Sequence, residues 1–113
     1  MAFKKLPNYL KTYRKRSHLT QADLAFLFVG VRSETKVNRY ENLRRRPDFR
    51  TSLGYNIIFG VSFRELFAGE CQEIEAGIRK HARLLAEKLR DKPASPEVKA
   101  KILFLETFLN RQP

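Results

Sequence analysis

The sequence predicts an all-α protein, and three observations carry that prediction. Apolar residues recur at three- and four-residue steps in segment after segment, the period of a buried helix face. Residues that cap helices (Thr20, Ser33, Ser62, Ser95) stand just ahead of those segments. Alternating β-branched runs are few, and there is no Asn-Gly or Asp-Gly hairpin turn. With 113 residues the chain has the length of one domain with a modest core.

The elements follow in order. The spacing predicts a first helix from about Leu6 to His18, with Pro7 early, where its missing N–H costs nothing, and Leu6, Leu10 and Tyr13 on the inner face. "LTQADLAFLF" predicts a second helix, with Thr20 as N-cap and Asp23 near its positive end. Leu24, Ala25 and Phe28 form its apolar stripe. "VGVRS" reads as a turn in which Gly30 is free to take positive φ. A third helix fits from Ser33, as N-cap, to Leu43, burying Val37 and Tyr40. Pro47 forces a break. "DFRTSLGYNIIFG" predicts a fourth helix burying Phe49, Leu53, Ile57 and Ile58 and stopping at Gly60. Ser62 and Glu65 match a capping box for a short fifth helix through Leu66 and Phe67.

From Glu70 the character changes. Ile74, Ile78, Ala82, Leu85 and Leu89 align on a helix ending near Arg90, "DKPAS" links, and Ser95 caps a last helix aligning Val98, Ile102, Leu105 and Leu109. The expected organisation is a five-helix unit over residues 1–69 followed by a helical hairpin over 70–113, which packs on that unit or dimerises it. The aromatic set Phe26, Phe28, Tyr40, Phe49, Phe59, Phe63 and Phe67 is expected to be mostly core.

Charge narrows the function. The formal net charge is +11, which calls for an acidic partner. Residues 1–50 carry 13 Lys and Arg against 4 Asp and Glu, a net of +9, while residues 51–113 contribute only +2. That asymmetry favours a localised polyanion-binding surface over general solubility charge. No apolar run reaches the ~18–20 residues of a spanning helix, and no secretory apolar region opens the chain, so a cytoplasmic protein is expected. The lone Cys71 excludes an internal disulfide and a cysteine-based zinc site, and reads as a small half-buried apolar residue. His18 and His81 have no partner at ligand spacing, so no metal is expected. There is no phosphate-cradling glycine loop, no nucleophile with a base and no dense carboxylate pair, so neither an enzyme nor a cofactor is expected.

Two short helices joined by a tight, glycine-containing turn, the second rich in polar and basic residues, describe a helix-turn-helix. In that geometry the first helix spans the DNA backbone and the second places side chains in the major groove. Thr35, Lys36, Asn38 and Arg39 supply short or forked donors for that work.

"LTQADLAFLF", "KVNRYEN", "RRRP" and "FGVSFRELF" together resemble the phage-repressor and Cro type, or Xre, helix-turn-helix family, over roughly residues 6–69. The resemblance implies a phage-repressor-like five-helix domain that binds double-stranded DNA. It implies that Gln21 contacts the DNA backbone and orients recognition side chains, and that Thr35 and Arg39 lie on the groove-facing side. It also implies that Arg14 and Glu41 form a partly buried, architectural ion pair. Arg32 and Ser33, at the start of the third helix, join the candidate DNA contacts. Arg44, Arg45 and Arg46 are either a phosphate clamp or a solvated helix end. The chain departs from the family pattern twice. Leu43 replaces the glycine after Glu-Asn, so the left-handed stop is expected to be made otherwise. The stretch from Gln21 to Glu41 is about two residues longer than the family pattern, with the extra length in "VGVRS".

The expectation is a sequence-specific, homodimeric transcriptional regulator of bacterial or phage type, with residues 33–43 in the major groove. The alternative is an antitoxin-like or adaptor protein whose segment 70–113 binds a protein partner. Structured RNA is a weaker third reading, because no sheet of exposed aromatics is expected.

Overall fold

The computed structural model describes residues 5–28 and 33–111. Among them are seven helices and no strand: α1 (Leu10–Arg16), α2 (Gln21–Leu27), α3 (Glu34–Glu41), α4 (Phe49–Phe59), α5 (Phe63–Leu66), α6 (Ala68–Arg90) and α7 (Pro96–Asn110). No described helix is long and apolar enough to cross a membrane. The chain divides into two compact units, Met1–Gln72 and Glu73–Pro113.

In the first unit, α2 packs against α3, α1 against α3, and α4 against α5. Its core gathers Leu10, Leu24, Ala25, Phe28, Val37, Tyr40, Tyr55 and Leu66. Full burial of each large apolar side chain here is worth about 1.5–3 kcal/mol. The expected stripes of α2 and α3 are therefore the buried ones. Phe26, between two core positions on α2, is 90 % exposed.

The helix starts follow local chemistry. The Thr20 hydroxyl accepts from the Asp23 N–H at 3.0 Å, and the Asp23 carboxylate accepts from the Thr20 N–H at 2.9 Å, a reciprocal capping box. Ser33, Asp48, Ser62 and Ser95 cap α3, α4, α5 and α7 with side-chain oxygens.

Helix α1 is shorter than its sequence predicts, and the reason is tertiary. The Tyr9 N–H donates to the Leu66 carbonyl at 2.7 Å, and the Leu6 carbonyl accepts from the Gly69 N–H at 2.8 Å. Residues 6–9 pair with the start of α6 and the end of α5 instead of coiling, so Pro7 precedes the helix and Leu6 is exposed.

Both α1 and α3 stop on a left-handed residue other than glycine, His18 at φ 61° and Leu43 at φ 62°. The His18 N–H reaches the Lys15 carbonyl and the Leu19 N–H the Arg14 carbonyl; the Leu43 N–H reaches Tyr40 and the Arg44 N–H reaches Arg39. This is the Schellman pattern at both ends. The left-handed stop is thus made without glycine: Leu43 itself adopts the conformation, and α3 ends at Glu41, two residues short of the expected end. Gly60, at φ 64°, ends α4 as expected.

The face of α4 is a correction. Thr51 and Tyr55 are buried and Ile58 half-buried, whereas Phe49, Leu53 and Ile57 are exposed. Gly54 explains the choice: a Cβ there would come within 2.5 Å of the Phe28 ring, so the α4 backbone sits directly on that ring. Phe28 and Tyr55 meet edge to face, with ring centroids 4.8 Å apart. Of the expected aromatic core, Phe59 and Phe67 are half-buried, and Phe26, Phe49 and Phe63 are exposed.

In the second unit, Val98, Ile102, Leu105 and Leu109 are all half-buried on α7, as their spacing predicts. On α6, Ala82, Ala86 and Leu89 are buried, but Ile74, Ile78 and Leu85 are exposed. Arg79 ties the two helices by donating to the Leu109 and Arg111 carbonyls at 2.8 and 2.7 Å and lying over the Phe108 ring.

Candidate nucleic-acid interface

The candidate surface is built on a junction of three helices at one carboxylate. Arg14, on α1, donates Nε to Glu41 Oε2 at 2.6 Å and Nη2 to Glu41 Oε1 at 3.0 Å. Its third donor, Nη1, caps the Leu19 carbonyl at 3.0 Å, just past the His18 stop. Gln21, the first residue of α2, donates Nε2 to the same Glu41 Oε1 at 3.1 Å. Glu41, the last residue of α3, therefore receives hydrogen bonds from α1 and α2 together. Hydrogen bonding to Glu41 raises the Arg14 guanidinium above its ordinary value, against the opposing effect of burial. The Tyr55 hydroxyl lies buried close by with no hydrogen-bond partner among the described residues. Burial first, then the Glu41 charge, pushes its pKa up.

With Val37, Tyr40 and Glu41 turned inward, the outward face of α3 carries Thr35, Asn38, Arg39 and Asn42, all exposed. Asn42 donates Nδ2 to Asn38 Oδ1 at 3.1 Å, which aligns two amides side by side. Lys36 lies apart from this set. It is half-buried and lines the cleft between α3 and α4. Ser33 Oγ accepts from the Thr35 N–H at 3.1 Å, so that oxygen serves the helix cap. Arg32 lies outside the described residues.

The three arginines divide. Arg44 and Arg45 are exposed immediately beyond the α3 stop, and both of their backbone N–H groups are directed to the Arg39 carbonyl. Arg46 pairs with Glu70 at 3.3 Å. Arg50 was absent from the sequence-based site, yet it lines the α3–α4 cleft with Lys36 and Arg45. Its signal was present: a cation in the first turn of a helix opposes the macrodipole, so helix stability does not call for it there. Asp48 sits among these cations as the α4 N-cap. Its carboxyl is held below the usual range by the Thr51 N–H and hydroxyl, with Arg45 and Arg50 adding to the effect. Asn42 was also missed, although it stands four residues beyond Asn38 on the same helix face.

Among the described residues, no three His, Cys, Asp or Glu side chains gather in a manner that could hold a metal ion. Compared with protein-family models, curated proteins and solved structures, the chain matches none of them.

Proposed function

We propose that α1–α5 form a phage-repressor-like helix-turn-helix domain of the Xre and Cro type, and that the chain is a sequence-specific regulator of transcription. In this reading α2 crosses the backbone of double-stranded DNA and α3 enters the major groove. The observation that carries it is the outward face of α3. Thr35, Asn38, Arg39 and Asn42 form a row of forked and short donors on a helix that Arg14, Gln21 and Glu41 hold rigidly. Arg39 suits bidentate contact with guanine, and the asparagines suit adenine. Arg44 and Arg45 follow that row, Lys36 and Arg50 line the neighbouring cleft, and in this reading the four supply sequence-independent attraction to phosphates. The proposed activity is binding, and it uses no cofactor.

Selection of bound duplexes from a random pool tests this reading, followed by titration of selected and scrambled duplexes at several salt concentrations. The selected sequence is expected to bind on the order of a thousandfold tighter. Equal affinity for every duplex would overturn sequence specificity, and no binding at low salt would overturn the reading altogether.

A homodimer belongs to the same proposal, because one helix-turn-helix reads too few base pairs. Ile74 and Ile78 on α6, and Leu103 and Phe104 on α7, are exposed apolar side chains suited to a second copy. The same residues support the adaptor alternative, and the mass of the purified protein alone separates the two.

A further inference from the structure

The cleft between α2, α3 and α4 has a second chemistry besides its cations. Leu27, Leu53 and Ile57 line it, and they are 49 %, 40 % and 77 % exposed. Phe28 and Gly54 lie at its floor, and its volume is about 650 Å³. Phe49, Leu53 and Ile57 repeat every four residues along α4, an apolar stripe about 12 Å long at 1.5 Å per residue. A continuous apolar stripe of two helical turns beside an open cleft is the shape that receives the apolar face of another helix.

The rim selects the partner's charge. Lys36, Arg45 and Arg50 border the apolar wall, and the single carboxylate among them, Asp48, already accepts from the Thr51 N–H at 2.8 Å. A helix that lays apolar side chains on Leu53 and Ile57 therefore meets a net positive rim, which rewards acidic residues along its edges. A second copy of this chain answers that requirement poorly. The whole chain carries +11, and its long helices offer no acidic excess: α6 has five basic against four acidic residues, and α7 has two of each.

We propose that this cleft docks an acidic amphipathic helix of a partner protein. Leu27, Leu53 and Ile57 receive its apolar anchors, and Lys36, Arg45 and Arg50 pair with its carboxylates. Because Lys36 and Arg45 also belong to the proposed DNA surface, the partner helix and a duplex exclude one another; this second clause rests on the DNA-binding reading, whereas the docking itself does not.

The test titrates the full-length protein, without DNA, with a synthetic helical peptide carrying Leu at i, i+4 and i+7 and Glu on its remaining face. A scrambled peptide of identical composition is the control. The patterned peptide is expected to bind at least about tenfold tighter than the scrambled one, and replacing Ile57 and Leu53 by Gln is expected to remove that advantage. Replacing Arg45 and Arg50 by Ala should weaken both peptides and flatten their salt dependence. Ile57→Gln alone changes a side chain already in water, so its unfolding curve should match that of the unmodified chain and its binding result is interpretable. Equal binding of the two peptides would overturn the proposal by reducing the cleft to a polyanion attractor. Unchanged patterned-peptide affinity in the Gln variants would also overturn it, as would self-association that Ile57→Gln abolishes. Duplex added to the peptide-bound protein should bind at least about tenfold more weakly. Peptide binding with no duplex binding in its absence would uphold the docking site and remove the DNA reading.

Discussion

Glu41 accepts two hydrogen bonds from Arg14, at 2.6 and 3.0 Å, with only 1 % of its side chain exposed. Removing one partner of a buried pair strands the other, which costs about 3–5 kcal/mol. Glu41→Ala leaves the Arg14 guanidinium with the Leu19 carbonyl and without its carboxylate, and it also releases Gln21. It should therefore unfold the domain at a much lower denaturant concentration while leaving sequence preference intact in whatever fraction remains folded. Chemical denaturation measures the first effect, and duplex titration at low temperature the second. A variant with unchanged stability would show that the junction contributes nothing net.

Leu43 at φ 62° predicts a gain from a simpler residue. A left-handed conformation costs a side-chain-bearing residue about 1–2 kcal/mol, and glycine avoids that at about 0.5–1 kcal/mol of backbone entropy. Leu43→Gly should stabilise the protein by up to about 1 kcal/mol, whereas Leu43→Val should destabilise it, since a β-branched residue tolerates positive φ poorly. Paired unfolding curves decide the matter. Destabilisation by glycine would mean that the leucine side chain contributes more than its strain costs.

The arginines should separate into base-reading and phosphate-holding groups. Arg39→Ala is expected to relax preference at one or two base positions, about 1–3 kcal/mol of discrimination. Arg44→Ala and Arg45→Ala should weaken every duplex alike and flatten the log–log salt slope by about 0.9 for each phosphate that is no longer neutralised. Arg46→Ala should change less, because Arg46 already pairs with Glu70 at 3.3 Å. Binding titrations over several salt concentrations would show this ordering. If the Arg44, Arg45, Arg46 triple variant binds like the unmodified chain throughout, "RRR" is only a solvated helix end.

Stability should decline on acidification through two helix caps. Backbone and side-chain hydrogen bonds to Thr20 hold the Asp23 carboxyl below its ordinary value, and those to Thr51 do the same for Asp48. The folded-state pKa of each lies below its unfolded value. Each contribution is therefore complete above the ordinary carboxylate range and is lost as pH falls through the folded-state pKa. Replacing each by Asn, which caps without titrating, should flatten the acid side of the stability profile. Urea unfolding from neutral to acidic pH checks it, and an unaltered acid limb would exclude both caps as its source.

Truncation should respect the boundary after Gln72 and not the expected one after Gly69. Glu70 pairs with Arg46, and the Cys71 N–H donates to the Phe67 carbonyl at 2.8 Å, so a cut at 70 removes parts of the first unit. Residues 1–72 should unfold cooperatively, remain monomeric and bind DNA more weakly than the full chain. Ile78→Glu in the full chain should likewise convert a dimer to a monomer in sedimentation. Undiminished DNA affinity of the shortened chain, together with a monomeric full chain, would remove the dimer proposal.

What short-range chemistry decides was legible in the order of the residues. Thr20, Ser33, Ser62 and Ser95 cap their helices because each bond closes within two or three residues. The inner stripes of α2, α3 and α7 were legible in their spacing, although α2 also exposes Phe26 and α7 exposes Leu103 and Phe104. Helix α4 has apolar residues on several faces, so periodicity could not choose among them. The choice fell to Gly54, whose missing Cβ lets Phe28 approach and turns Thr51 and Tyr55 inward, leaving Leu53 and Ile57 to line an open cleft. Packing between separate helices brought Gln21 to the Arg14–Glu41 pair and drew residues 6–9 onto Leu66 and Gly69. Those interactions join residues 20 or more positions apart. Nothing in a short window of sequence encodes them; the packing of separate helices does.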